Sequence, residues 1–123
     1  MSPKKNSSKD NVELVADFLD IALQQYDAIE KFDNARFNRL YARLKAVEAE
    51  LKSRPGDARN ALAKLYQHNN VNVRLQAALA TLALQPFESR EVLRQVKDTK
   101  ITPYSADAWG MLNSLDEGRY EPD

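Results

Sequence analysis

Cysteine is absent from this chain of 123 residues, so disulfides and thiolate chemistry are excluded. That suits a reducing compartment. Glycine is scarce, with three residues, and proline little commoner, with five, which argues against loop-rich and β-rich architectures. A single histidine leaves no room for a site built on paired imidazoles. Charge of one sign is missing too. Eighteen basic and eighteen acidic side chains cancel, so the chain as a whole exerts no pull toward nucleic acid or an anionic membrane. No run approaches the roughly 20 apolar residues that a bilayer crossing needs. The basic residues near the N-terminus have no apolar stretch behind them, so no secretory signal is expected. Together these absences describe a cytoplasmic protein that makes no use of a membrane.

What is present is enough to fold. With 43% apolar residues over this length, a core can form without metal or disulfide support. Residues 1–10 are polar throughout and read as a disordered tail, followed by a single all-helical domain over 11–123. In a first helix Val12, Val15, Leu19, Ala22, Tyr26 and Ile29 recur at spacings of three and four. A second, opened by Asp33 or Asn34 as N-cap, repeats this with Phe37, Leu40, Leu44, Val47 and Leu51. Pro55-Gly56-Asp57 is a turn and cap before a short third helix that carries Leu62, Leu65 and Tyr66. Pro86 fits the first position of a fifth helix burying Val92, Leu93 and Val96. Thr102-Pro103 reads as the cap and first position of a sixth, with Ala106, Trp109, Leu112 and Leu115 inward and Gly118 as its stop.

The fourth helix is the most informative. The polar turn at Asn69-Asn70 leads into Val73-Arg74, then Ala77 and Ala78, then Leu79 and Leu82. Small residues at helical spacing admit a close neighbour, and an early arginine beside valine is a common opening of the second helix of a HEAT-like hairpin. The expected architecture is therefore all-α: about six helices in three antiparallel hairpins, a HEAT-like short solenoid or irregular bundle.

The search for chemistry yields little. His68 falls at a helix end beside Asn69 and Asn70, where it suits the negative end of the helix dipole and has no nucleophile for a companion. No HExxH spacing exists to hold a metal, and no glycine-rich loop exists to cradle phosphate, so neither a metal nor a cofactor is expected. Asp17 with Asp20, and Glu88 with Glu91, are spaced as solvated surface pairs. Catalysis is not expected.

Charge distribution says more than its total. Residues 1–33 carry a balance of −3, residues 34–67 one of +5, and residues 68–123 one of −2. The acids concentrate on the first helix, and the arginines Arg36, Arg39, Arg43 and Arg54 on the second. Neighbouring helices exchanging weak rim ion pairs would account for this. Alternatively, Asp17, Asp20 and Asp27 steer a basic partner, or Arg36, Arg39 and Arg43 form a stripe for nucleic acid. The acids nearby, and the lack of interleaved aromatics, disfavour nucleic acid. Most tyrosines, and Trp109, fall on apolar faces and read as core. Tyr120, beyond the last helix, is a candidate anchor for a partner.

Asn72-Val-Arg-Leu-Gln-Ala-Ala78, followed by Leu115-Asp-Glu-Gly-Arg-Tyr120, resembles a small bacterial family catalogued as domain of unknown function number two thousand and nineteen. An acidic leading helix with Phe18, then an arginine-rich helix from Asn34 to Leu44, fits the same pattern. The resemblance spans most of residues 12–122, implies an all-helical HEAT-like fold, and brings no catalytic residues with it. By analogy of size and architecture, the expected function is non-enzymatic protein binding, most concretely an immunity protein that covers the active site of a cognate toxin domain. A general adaptor, a homo-oligomeric scaffold and a nucleic-acid-binding module are the alternatives.

Overall fold

The structure, a computed structural model, describes residues 4–123. The first three residues of the expected tail lie outside the described residues. From there on, every regular element is helical, and no strand occurs among the described residues. Among the described residues five α-helices form: α1 (Asn11–Glu30), α2 (Asn34–Ser53), α3 (Val71–Ala80), α4 (Pro86–Asp98) and α5 (Tyr104–Asp116). The third expected helix takes 3-10 form over Ala58–Leu65. An additional short 3-10 turn, Asn6–Ser8, falls within the segment read from sequence as a disordered tail. The Arg54 guanidinium donates there to the carbonyl of Asn6 and to the side chain of Asn11, both at 3.1 Å.

The described residues form two compact units, one up to residue 61 and one over residues 62–123. The first unit is the α1–α2 hairpin. Asp10 opens α1 with a capping box, accepting from the Glu13 amide at 2.8 Å while Glu13 reaches back to the Asp10 amide. Two amides that the helix cannot satisfy internally are thereby paired. Asp33 caps α2 through the Arg36 amide at 3.0 Å, as its position suggests. Between the helices, Phe32 adopts a positive φ of 54°. The Asp33 amide then bonds to the Ala28 carbonyl and the Phe32 amide to that of Ile29, the pattern by which a left-handed residue closes a helix.

Four of the five residues expected on the inner face of α2 are buried, Leu40, Leu44, Val47 and Leu51, while Phe37 is half-buried. That of α1 is not. Leu14, Phe18, Ile21, Ala22 and Ala28 are buried, whereas Val15, Leu19, Tyr26 and Ile29 are half-buried and Val12 is exposed. Two adjacent apolar stripes run along α1, and spacing alone does not rank them. The stripe carrying Phe18 offers the larger apolar payload and is the one fully withdrawn from water.

The second unit joins α3, α4 and α5, with α4 packed against both of the others. Asn70 caps α3 by accepting from the amides of Asn72 and Val73. Ala77 and Ala78 are fully buried, as the small-residue face requires, together with Val73, Leu75 and Leu82; Leu79 is only half-buried. Pro86 begins α4, whose buried residues Val92, Leu93 and Val96 match expectation. In α5 the inward face is Tyr104, Ser105, Ala108 and Leu115, while Ala106 and Trp109 are exposed. Trp109 was expected inside. It follows Ala108 by one residue, about 100° around the helix, and the small Ala108 is the residue turned inward. Pro103, not Thr102, stands at the cap position and supplies no side-chain bond. Gly118, at φ +71°, ends α5 with its amide on the Leu115 carbonyl and the Arg119 amide on that of Ser114.

Candidate functional site

The acids and arginines singled out in the sequence meet along the α1–α2 hairpin. Asp17 pairs with Lys9. Asp27 accepts from Arg36 at 2.7 Å and lies 3.0 Å from Lys31. The Arg36 hydrogen bond, then that of Lys31, holds its carboxyl below the ordinary carboxylate range. Asp20 differs: its carboxylate accepts from Gln24 at 2.7 Å and has no cation at ion-pair distance among the described residues. Two of the three candidate steering acids thus have their charge compensated locally.

On α2 the situation is reversed. Arg36 is engaged by Asp27, but Arg39 and Arg43 are exposed, with no acidic partner among the described residues. They line a groove of about 270 Å³ together with Gln24, Arg36 and Leu40. A second groove, of about 240 Å³, shares Arg43 and includes Lys4, Lys9, Asp17, Ile21 and Val47. The pairing of α1 positions 17, 21 and 24 with α2 positions 47, 43 and 40 is what an antiparallel hairpin requires.

At the tip of the same hairpin stands Phe32, 90% exposed. A left-handed backbone is disfavoured for any residue with a Cβ, and glycine or asparagine is the usual occupant of such a helix end. A large apolar ring held there in water contributes nothing to the core.

In the second unit, Tyr120 is 41% exposed, while Pro122, two residues on, sits in a shallow groove with Leu82, Ala83, Pro86, Arg90 and Leu115. The Nδ1 of His68 accepts from the Asn70 amide at 3.0 Å, and its carbonyl receives the Arg74 guanidinium at 2.9 Å. These bonds shape the turn before α3. Glu91 pairs with Arg94 at 3.0 Å. Trp109 and Phe87 are exposed on α5 and α4. Among the described residues no group of three or more histidine and acidic side chains could hold a metal ion, and no helix is long and apolar enough to cross a membrane.

Residues 12–116 match the family model described as "Domain of unknown function (DUF2019)". The chain belongs to the DUF2019 family. A solved structure, that of the protein RPA1889 from Rhodopseudomonas palustris CGA009, is similar to it at 37% identity with a TM-score of 0.95, over 98% of this chain and 100% of that one. No match was found among curated proteins. In this DUF2019 chain the surface feature that sequence reading passed over is Phe32. A signal was available: an aromatic residue in the three-residue connection Lys31-Phe32-Asp33, where turn chemistry favours glycine or asparagine.

Proposed function

We propose that this chain is a non-catalytic protein-binding module. The observation supporting it is Phe32, an apolar ring 90% exposed on a left-handed backbone at a hairpin tip. The left-handed backbone closes α1, but the fold has no use for a large apolar ring in water at that position, and aromatic rings are enriched at interfaces. The ring docks into a pocket of the partner, and the α1–α2 surface around it forms the rest of the contact. In its narrower form the partner is a toxin domain in the cytoplasm, and the module acts as an immunity protein by covering the active site; size and architecture support this form by analogy.

The test is a photo-crosslinking residue placed at position 32 and, as a control, at Ala49, which is exposed on α2. Irradiation in cells of the source organism is expected to give one discrete protein adduct from position 32 and none from position 49. Absence of an adduct at 32, or equal labelling at both positions, would remove the reading.

A further inference from the structure

Building on the protein-binding reading, we propose that the α1–α2 groove at Arg39 and Arg43 receives two carboxylates from an extended acidic segment of the partner. Arg39 and Arg43 are four residues apart on one helix, so they share a face. Both are exposed and lack an acidic partner among the described residues, although Arg36 and Lys9 beside them are engaged by Asp27 and Asp17. The two free guanidinium charges on this groove's lining outweigh the uncompensated carboxylate of Asp20, which accepts from Gln24 of the groove wall at 2.7 Å. A guanidinium presents a planar fork that matches a carboxylate, and a concave wall shields the pair from water better than an open surface does.

Spacing narrows the occupant. Four residues of α-helix rise about 6 Å. Alternate side chains of an extended strand point the same way and lie roughly 6.5–7 Å apart. An acid-x-acid pattern therefore places one carboxylate on each arginine. The groove also has limits. Toward one end Arg36 is occupied by Asp27, and toward the other Lys9 is occupied by Asp17. A long polyphosphate would find two free arginines and then pass compensated or acidic side chains, whereas a short acidic segment ends where the free charge ends. Protein rather than nucleic acid is the occupant favoured by this arrangement.

The experiment uses the full chain and fluorescently labelled decapeptides with one central Glu-x-Glu, its Gln-x-Gln counterpart, and adjacent Glu-Glu, alongside a labelled ten-nucleotide thymidine strand. Binding is followed by anisotropy, and amide shifts of the wild type locate the contact. The Glu-x-Glu peptide is expected to bind best, to shift amides around residues 39–43, and to weaken with added salt, since screening acts over about 8–10 Å. Arg39→Gln with Arg43→Gln should weaken it by about tenfold or more, as expected for close charge pairs, whereas Arg94→Gln, outside the groove lining, should leave it within about twofold. Equal affinity for the Glu and Gln peptides, no binding at millimolar peptide, or indifference to the double substitution would overturn the proposal. So would tighter binding of the thymidine strand that the same double substitution abolishes. Failure here with the position-32 adduct intact removes the groove assignment alone. Loss of the adduct with peptide binding intact removes the protein-partner reading and leaves an anion site.

Discussion

At position 32, phenylalanine and glycine each incur one penalty, and the two are of similar size. A side chain on a left-handed backbone costs about 1–2 kcal/mol, while glycine there gives up roughly 0.5–1 kcal/mol in unfolded-state entropy. Phe32→Gly should therefore leave the melting temperature within a few degrees of wild type, or raise it slightly, because the exposed ring supplies no burial to lose. A different residue carries the clearest pH dependence. Asp57 accepts from the Arg59 guanidinium at 2.9 and 2.7 Å, and Arg59 is buried. That hydrogen bond holds the Asp57 carboxyl below its ordinary value. A carboxyl lowered by folding adds stability that is present above its unfolded value, near 4, and lost as pH falls through the folded value. Asp57→Asn keeps a side chain that tolerates the positive φ of 55° at this position while removing the charge. It should cost about 1–3 kcal/mol at pH 7 in urea melts, with the difference from wild type shrinking below about pH 4. At this scale, short-range chemistry was legible in the sequence: Asp33 caps because its neighbours make it cap. The exposure of Phe32 was legible only through turn chemistry, as an aromatic residue in a short connection that favours glycine or asparagine; hydrophobic spacing does not mark it.

Helix ends were the most readable elements, and helix faces the least. Pro86 and Gly118 act where their chemistry places them, Asn70 caps α3 from within the expected polar turn, and the Thr102-Pro103 start is displaced by one residue, with Pro103 at the cap position. Asn70→Ala should cost about 0.5–2 kcal/mol, since it strands the amides of Asn72 and Val73 at the start of a buried helix. Gly118→Ala should cost roughly 1 kcal/mol at its left-handed position. Both are measurable by denaturant unfolding. Faces went astray in α1 and α5 for one reason. Each helix carries apolar residues over more than one stripe, so the rule of three and four is satisfied twice. In α2 a single stripe faces a strongly charged remainder, and its core could be read correctly. Leu75→Ala, at a fully buried position of α3, should cost about 2–5 kcal/mol, whereas Leu79→Ala on the half-buried side should cost less.

At the scale of the molecule, helical class and family were legible because periodicity, caps and the Asn72–Ala78 stretch all agree. The candidate surface was legible in part. Segment charges pointed to the α1–α2 hairpin, but which charges are spent on each other depends on tertiary distances. Asp27 is held by Arg36 and Lys31, Asp17 by Lys9, and Arg39 and Arg43 remain available. The apolar ring at the hairpin tip and the free arginines along its groove are the two features on which the proposed protein-binding function rests. The direct measurement is the affinity of Phe32→Gly for the partner captured at position 32, taken beside its melting temperature. A loss of about tenfold or more in affinity with stability unchanged is the expected result, in keeping with an aromatic interface anchor. Wild-type affinity in the glycine variant would contradict the account.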